Sequence, residues 1–151
     1  MEVGLLLRAL LVSSGWQLFV EATPSVSTSD PVLRARLGYN ITLGCSFSHG
    51  RSRGLSSSGH IPVTILWYFY YNHESKLVYS HYGNGAQPNA SAQQHPDYHG
   101  RALMPRRPPA RGNASLRLLG VRLADVGVYR CVVMDATGLA YAETSLEVYG
   151  M

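Results

Sequence analysis

Charged side chains are sparse in this 151-residue chain, at 15%, which is light for a cytosolic protein. The formal net charge of +4 is modest, and the arginines are scattered. The clusters RSR (51–53) and RRPPAR (106–111) sit among Ser, Gly and Pro. That is the composition of solvated loops, not of a nucleic-acid-binding face. Cysteine is almost missing: Cys45 and Cys131 are the two present, enough for one bridge. No segment sustains a helical period, so a helical fold is excluded. Arg8 interrupts the apolar run near the N-terminus, and no later segment is long and apolar enough to span a bilayer. Catalytic machinery is missing as well. No serine lies in a nucleophile motif and no paired carboxylates converge, so an enzyme is not expected. Gly83 and Gly85 belong to a hairpin turn rather than a phosphate-cradling loop. His95 and His99 have the spacing of metal ligands on a helix, but Pro96 argues against a helix there and no third ligand is evident. Neither a metal nor a cofactor is expected.

What is present points to export. The first 22 residues, MEVGLLLRALLVSSGWQLFVEA, join a short apolar run to a small-residue end and predict a signal peptide cleaved after Ala22. Three glycosylation acceptors, at Asn40, Asn89 and Asn113, agree with this. So does the even cysteine count, because an oxidising compartment favours a bridge. The protein is expected to be secreted or extracellular, or the ectodomain of a membrane protein if the chain is a piece of one.

Residues 23–31, TPSVSTSDP, read as a polar lead-in to one domain at 32–149. Alternation then takes over. In YNITLGCSF, Ile41, Leu43, Cys45 and Phe47 share one face of a half-buried strand. VTILWYFYY, KLVYSHY, RALMP, NASLRLLGV, GVYRCVVMD and LAYAETSLEV follow as strands, separated by Gly, Pro, Ser and Asn. The longest interruption is the Ser/Gly/Arg loop at 48–62, and Asn84-Gly85 is a further turn signal. Short strands with turn signals between them predict an all-β sandwich.

Asp125, Gly127, Tyr129 and Cys131 fall on strictly alternating positions in ADVGVYRC. Together with Cys45 and Trp67, this set resembles the immunoglobulin variable-type domain. The resemblance implies two antiparallel sheets joined by a Cys45–Cys131 disulfide. It implies Trp67 packed on the bridge, Tyr129 as a tyrosine corner, and a structural salt bridge from Arg101, at the start of strand D, to Asp125. Gly127 would ease the bend into its strand. All of these residues then serve stability. The stretch HPDYHGRALMPRRPPARGNASLRLLGVRLADVGVYRC narrows the likeness. It resembles the butyrophilin and B-seven family of T-cell costimulatory ligands across residues 32–149. ATGLAYAETSLEV lacks the Gly-x-Gly bulge usual in antigen-receptor domains. Family members usually add a constant-type domain and a membrane anchor, and neither lies in this stretch.

A binding scaffold works through a face or its loops. With Trp67 inward, Leu66, Tyr68 and Tyr70 point outward from their strand; Val128, Arg130, Val132 and Met134 do so from the Cys131 strand. Tyr68, Tyr70, Arg130, Val132 and Met134 therefore form the expected receptor-binding face, with an interface-like composition. Leu77, Tyr79 or their alternates would add to it from the next strand. The resemblance implies a costimulatory or coinhibitory receptor on a lymphocyte as partner, with modulation of T-cell responses as outcome. Homophilic adhesion or a homodimer through the same sheet is the rival reading, and a soluble decoy is a third. Parity places Asn40 and Asn113 outward on the opposite sheet, and Asn89 in the loop before strand D.

Overall fold

The computed structural model describes residues 23–50, 62–83, 93–105 and 112–150. The expected signal peptide, Asn89, the Asn84-Gly85 turn and most of the 48–62 loop lie outside the described residues. Among the described residues, ten strands run in the order β1 (Ser25–Thr28), β2 (Val32–Arg36), β3 (Ile41–Leu43), β4 (Cys45–Ser48), β5 (Thr64–Tyr71), β6 (Glu74–Tyr82), β7 (Ala102–Leu103), β8 (Leu116–Leu118), β9 (Gly127–Asp135) and β10 (Gly138–Tyr149). The front sheet has the order β2-β10-β9-β5-β6. The back layer holds β3-β8-β7 and the β1-β4 pair.

Three expectations need correction. The stretch 23–31 carries β1, which pairs with β4 from Ser25↔Ser48 to Thr28↔Cys45. Its alternation of Ser, Val and Thr suits an edge strand, although too few apolar residues mark it in the sequence. After Asp30-Pro31 the chain changes sheets and becomes β2, which runs parallel to β10. The front sheet is therefore not wholly antiparallel. The long strand read from YNITLGCSF is also broken, at Gly44, into β3 and β4. A Cβ there would press on the Ser29 side chain, so glycine suits the place where the β1–β2 crossover passes close.

Between the layers lies a continuous core that includes Leu43, Ile65, Trp67, Leu116, Leu118, Tyr129, Val133 and Leu146. Cys45 and Cys131 form a disulfide across it, with Cα atoms 6.6 Å apart. Trp67 is fully buried. Its Cα is paired with Cys131 within the front sheet, and its Nε1 donates to Ala114 O of the back layer at 2.9 Å. One side chain thus packs beside the bridge and hydrogen-bonds across the sandwich.

The lower end is held by a polar network. Tyr129 Oη donates to Asp125 O at 2.8 Å, which is the geometry of a tyrosine corner. Arg101 reaches both oxygens of Asp125 and also donates to the carbonyls of Asp97, Leu119 and Gly120. Every guanidinium donor is therefore used. Burial pushes the Tyr98 phenol up to about 12 and raises Tyr129 further. Both hydroxyls stay protonated and able to donate.

Gly127 also answers to packing. A Cβ there would sit 2.6 Å from the Phe69 ring. Glycine leaves space there for an aromatic side chain.

Candidate binding face

The front sheet turns its outer face to solvent, and three central strands align their outward residues in rows. Tyr68, Arg130 and Glu143 share one row across β5, β9 and β10. Leu66, Val132 and Tyr141 make the next, and Thr64, Met134 and Leu139 the third. Residues directly opposite in a sheet point to the same side, so strand pairing alone gathers these side chains. Tyr70 lies one row from Arg130 on the other side, opposite Val128.

Arg130 is the hub. Its guanidinium carbon lies 4.3 Å from the Tyr141 ring centroid and 4.7 Å from that of Tyr70. Both distances are within cation–π range. Nη2 lies 3.5 Å from Glu143 Oε2. Tyr68 and Tyr70 are 6.2 Å apart with rings tilted by 41°. Partial burial, with Tyr70 and Tyr82 nearby, raises the Tyr68 phenol above its ordinary value, so it too remains a donor.

The expected face therefore assembles, with one exception. Val132 is only 7% exposed. It lies on the correct side but beneath its larger neighbours, so it forms the floor of the face. Leu66, at 9%, is covered in the same way. The exposed apolar surface comes instead from β10, where Leu139 is 51% and Tyr141 52% exposed. Leu139, Tyr141 and Glu143 were legible as one alternating set in LAYAETSLEV. Sequence reasoning used that stretch only as a strand and missed its outward row.

On β6 a bulge settles the register. Trp67 pairs with Tyr79 and Tyr68 with Leu77, so Val78 is the extra residue. Val78 and Tyr79 both enter the core, leaving Leu77 to the outer face. Two consecutive inward residues cannot be read from a period of two.

At the top of the face, Asp135 ties the β9–β10 turn to the end of β4. Burial acts to raise its carboxyl. Hydrogen bonds from the Thr137 hydroxyl and N–H, from Gly50 N–H and from His49 outweigh burial and hold it below the usual range.

The opposite surface has other chemistry. Asn40 and Asn113 are both exposed on the back layer. Asn40 Oδ1 accepts from Gly120 N and Asn113 Oδ1 from Ser115 N, each at 3.0 Å. Among the described residues neither amide nitrogen has a hydrogen-bond partner, so the atom that would carry a glycan is free. No cluster able to hold a metal ion occurs among the described residues.

Comparison with known proteins follows this architecture. The model of the immunoglobulin V-set domain matches residues 28–149. Programmed cell death 1 ligand 1 of Mus musculus is 28% identical over 111 residues, 74% of this chain and 34% of that protein. The chain thus spans about a third of the length of this relative. The human B7-H4 IgV-like domain superposes with a TM-score of 0.62 at 22% identity, covering 83% of this chain and 96% of that one. Domain 1 of VCBP3 from Branchiostoma floridae gives 0.61 at 23%, with 85% and 96% covered.

Proposed function

The chain belongs to the immunoglobulin V-set family, and on that premise we propose that it is an extracellular binding module whose front sheet docks a receptor protein on a lymphocyte, modulating T-cell responses. The observation that carries this reading is the convergence of Tyr68, Tyr70, Arg130, Met134, Leu139 and Tyr141 on one face. Clustered aromatic and arginine side chains are the composition of interface hot spots. The sequons support the same side: a glycan is bulky and blocks contact, and the two described acceptors lie on the back layer. The name of one relative supports a protein as the partner class. It is named as the ligand of programmed cell death 1, a counterpart protein. Export would follow from the signal peptide, and non-covalent docking is the mechanism.

The test is a binding screen of the secreted chain against lymphocyte surface receptors. Saturable binding to one receptor, lost in Tyr141→Ala, supports the proposal. Concentration-dependent dimerisation through the same residues, with no receptor bound, would replace it with homophilic adhesion.

A further inference from the structure

Strand β2 is an outer strand of the front sheet, with β10 as its neighbour. Its hydrogen bonding alternates. Pro31 O accepts from Ser145 N and Leu37 N donates to Tyr149 O, so the odd-numbered residues turn their backbone groups toward β10. Val32, Arg34 and Arg36 turn theirs the other way. Among the described residues the N–H groups of all three, and the carbonyls of Val32 and Arg34, have no partner, while Arg36 O accepts from Tyr39 N. The side chains of the same three residues lie on the outer face, because Leu33 and Ala35 pack on the core. Val32 is 49% exposed. Arg34 leans back over β10, with its guanidinium carbon 5.5 Å from the Tyr149 ring centroid and Nε 3.5 Å from Glu147. Arg36 lies against Tyr39 at 5.2 Å and has no carboxylate partner among the described residues. Two cations and an exposed valine thus border a row of open backbone groups.

An edge of this kind is a template for another strand. Charge decides which strand fits. A second copy, antiparallel and in full register, would set Arg34 directly opposite Arg34, and like charges so placed destabilise a pairing. We propose that the free edge of β2 takes up an extended acidic segment of a partner protein as a further strand. Carboxylates at alternate positions would lie beside Arg36 and Arg34, and an apolar residue beside Val32. In strand addition the backbone bonds give affinity and the alternate side chains give specificity. The exposed ion pair of Arg34 with Glu147 is a weak competitor. A sulfated polysaccharide would meet the arginines but leave the open N–H and C=O groups unpaired, so a peptide is the better match. The edge lies on the far side of β10 from Arg130. This proposal goes beyond the receptor reading and does not rest on it.

The test uses the secreted full chain, isotopically labelled, and three capped heptapeptides followed by NMR. SETETVS, running antiparallel, sets its glutamates opposite Arg36 and Arg34 and its valine opposite Val32. SKTKTVS reverses the charge. The third peptide is SETETVS N-methylated at both glutamates, which keeps the charges and removes the N–H groups that would bond to the edge. SETETVS should shift the amide resonances of Val32, Arg34 and Arg36 saturably, and the other two peptides should not. The Arg34→Glu, Arg36→Glu double variant changes exposed residues. With its spectrum otherwise native, it should bind SETETVS about tenfold more weakly, the loss expected for two exposed ion pairs, and should take up SKTKTVS instead. Absence of a saturable shift at these amides with millimolar SETETVS would overturn the proposal, as would unchanged binding in the double variant. Equal binding of the N-methylated peptide would overturn strand addition, and equal binding of SKTKTVS the acidic preference. Tighter binding of a heparin oligosaccharide than of SETETVS at the same amides would overturn the choice of a protein segment.

Discussion

Trp67 shows how much one residue carries. It fills the core beside the bridge and hydrogen-bonds to Ala114 of the other layer. Trp67→Ala should destabilise by about 3–5 kcal/mol, as other large aromatic truncations do, in chemical denaturation. Arg101 and Asp125 are a second case. Removing either strands a buried charge, whereas removing both does not. A double-mutant cycle should show the pair losing less than the sum of the singles; additivity would mean that they do not interact. Asp135 adds a pH dependence. Its carboxyl is depressed in the fold, so its stabilising contribution is complete above the ordinary value of 3.8 and is lost as pH falls through the lowered one. The gap in melting temperature between Asp135→Asn and the parent should therefore be widest near neutrality and close in strong acid. A gap that is constant with pH would show that the charge is irrelevant. Residues such as Trp67 and Tyr129 were legible because aromatic and cysteine side chains at strict alternation have few other uses. Gly127 was visible as a glycine, but its reason was not, since the Phe69 ring that occupies its space comes from a strand far away in sequence.

Strands were easy to find where one face is buried, since period two then shows directly in β4 and β8, and where β-branched and aromatic residues run together, as in β5. Legibility ended where local geometry overrides the period. The β6 bulge sends Val78 and Tyr79 inward together, β1 carries too little apolar surface to announce itself, and the parallel β2–β10 pairing follows from a crossover no local signal marks. Burial on the outer face depends on neighbouring side chains, which is why Val132 had the correct orientation but the wrong accessibility. The strands therefore predict a division of labour within the face. Val132→Ala removes a covered floor residue, and should lower stability by about 0.5–1.5 kcal/mol, as small aliphatic truncations do. Tyr141→Ala removes a residue that is 52% exposed, and should leave the melting temperature near the parent's while weakening receptor binding. Thermal unfolding and binding isotherms on the two variants separate these effects; the opposite pattern would mean that Val132 makes the contact.

At the scale of the whole molecule, the sandwich presents two unlike surfaces. The front carries the arginine–tyrosine cluster, and the back carries the exposed Asn40 and Asn113. Cysteine count, alternation and the tyrosine-corner spacing made the sandwich legible, and parity placed the two acceptor asparagines on one side. The stacking of Arg130 was not legible, because it depends on three strands meeting. The most direct test of this two-sided account is the affinity of the secreted protein for the receptor found in the screen, measured by surface plasmon resonance on two variants. Arg130→Glu should cost on the order of 2 kcal/mol, the loss expected for a residue at the centre of an interface, with folding intact. The Asn40→Gln, Asn113→Gln double variant should bind like the parent. Loss of binding in the asparagine variant with full binding in Arg130→Glu would place the receptor on the back layer and contradict the account.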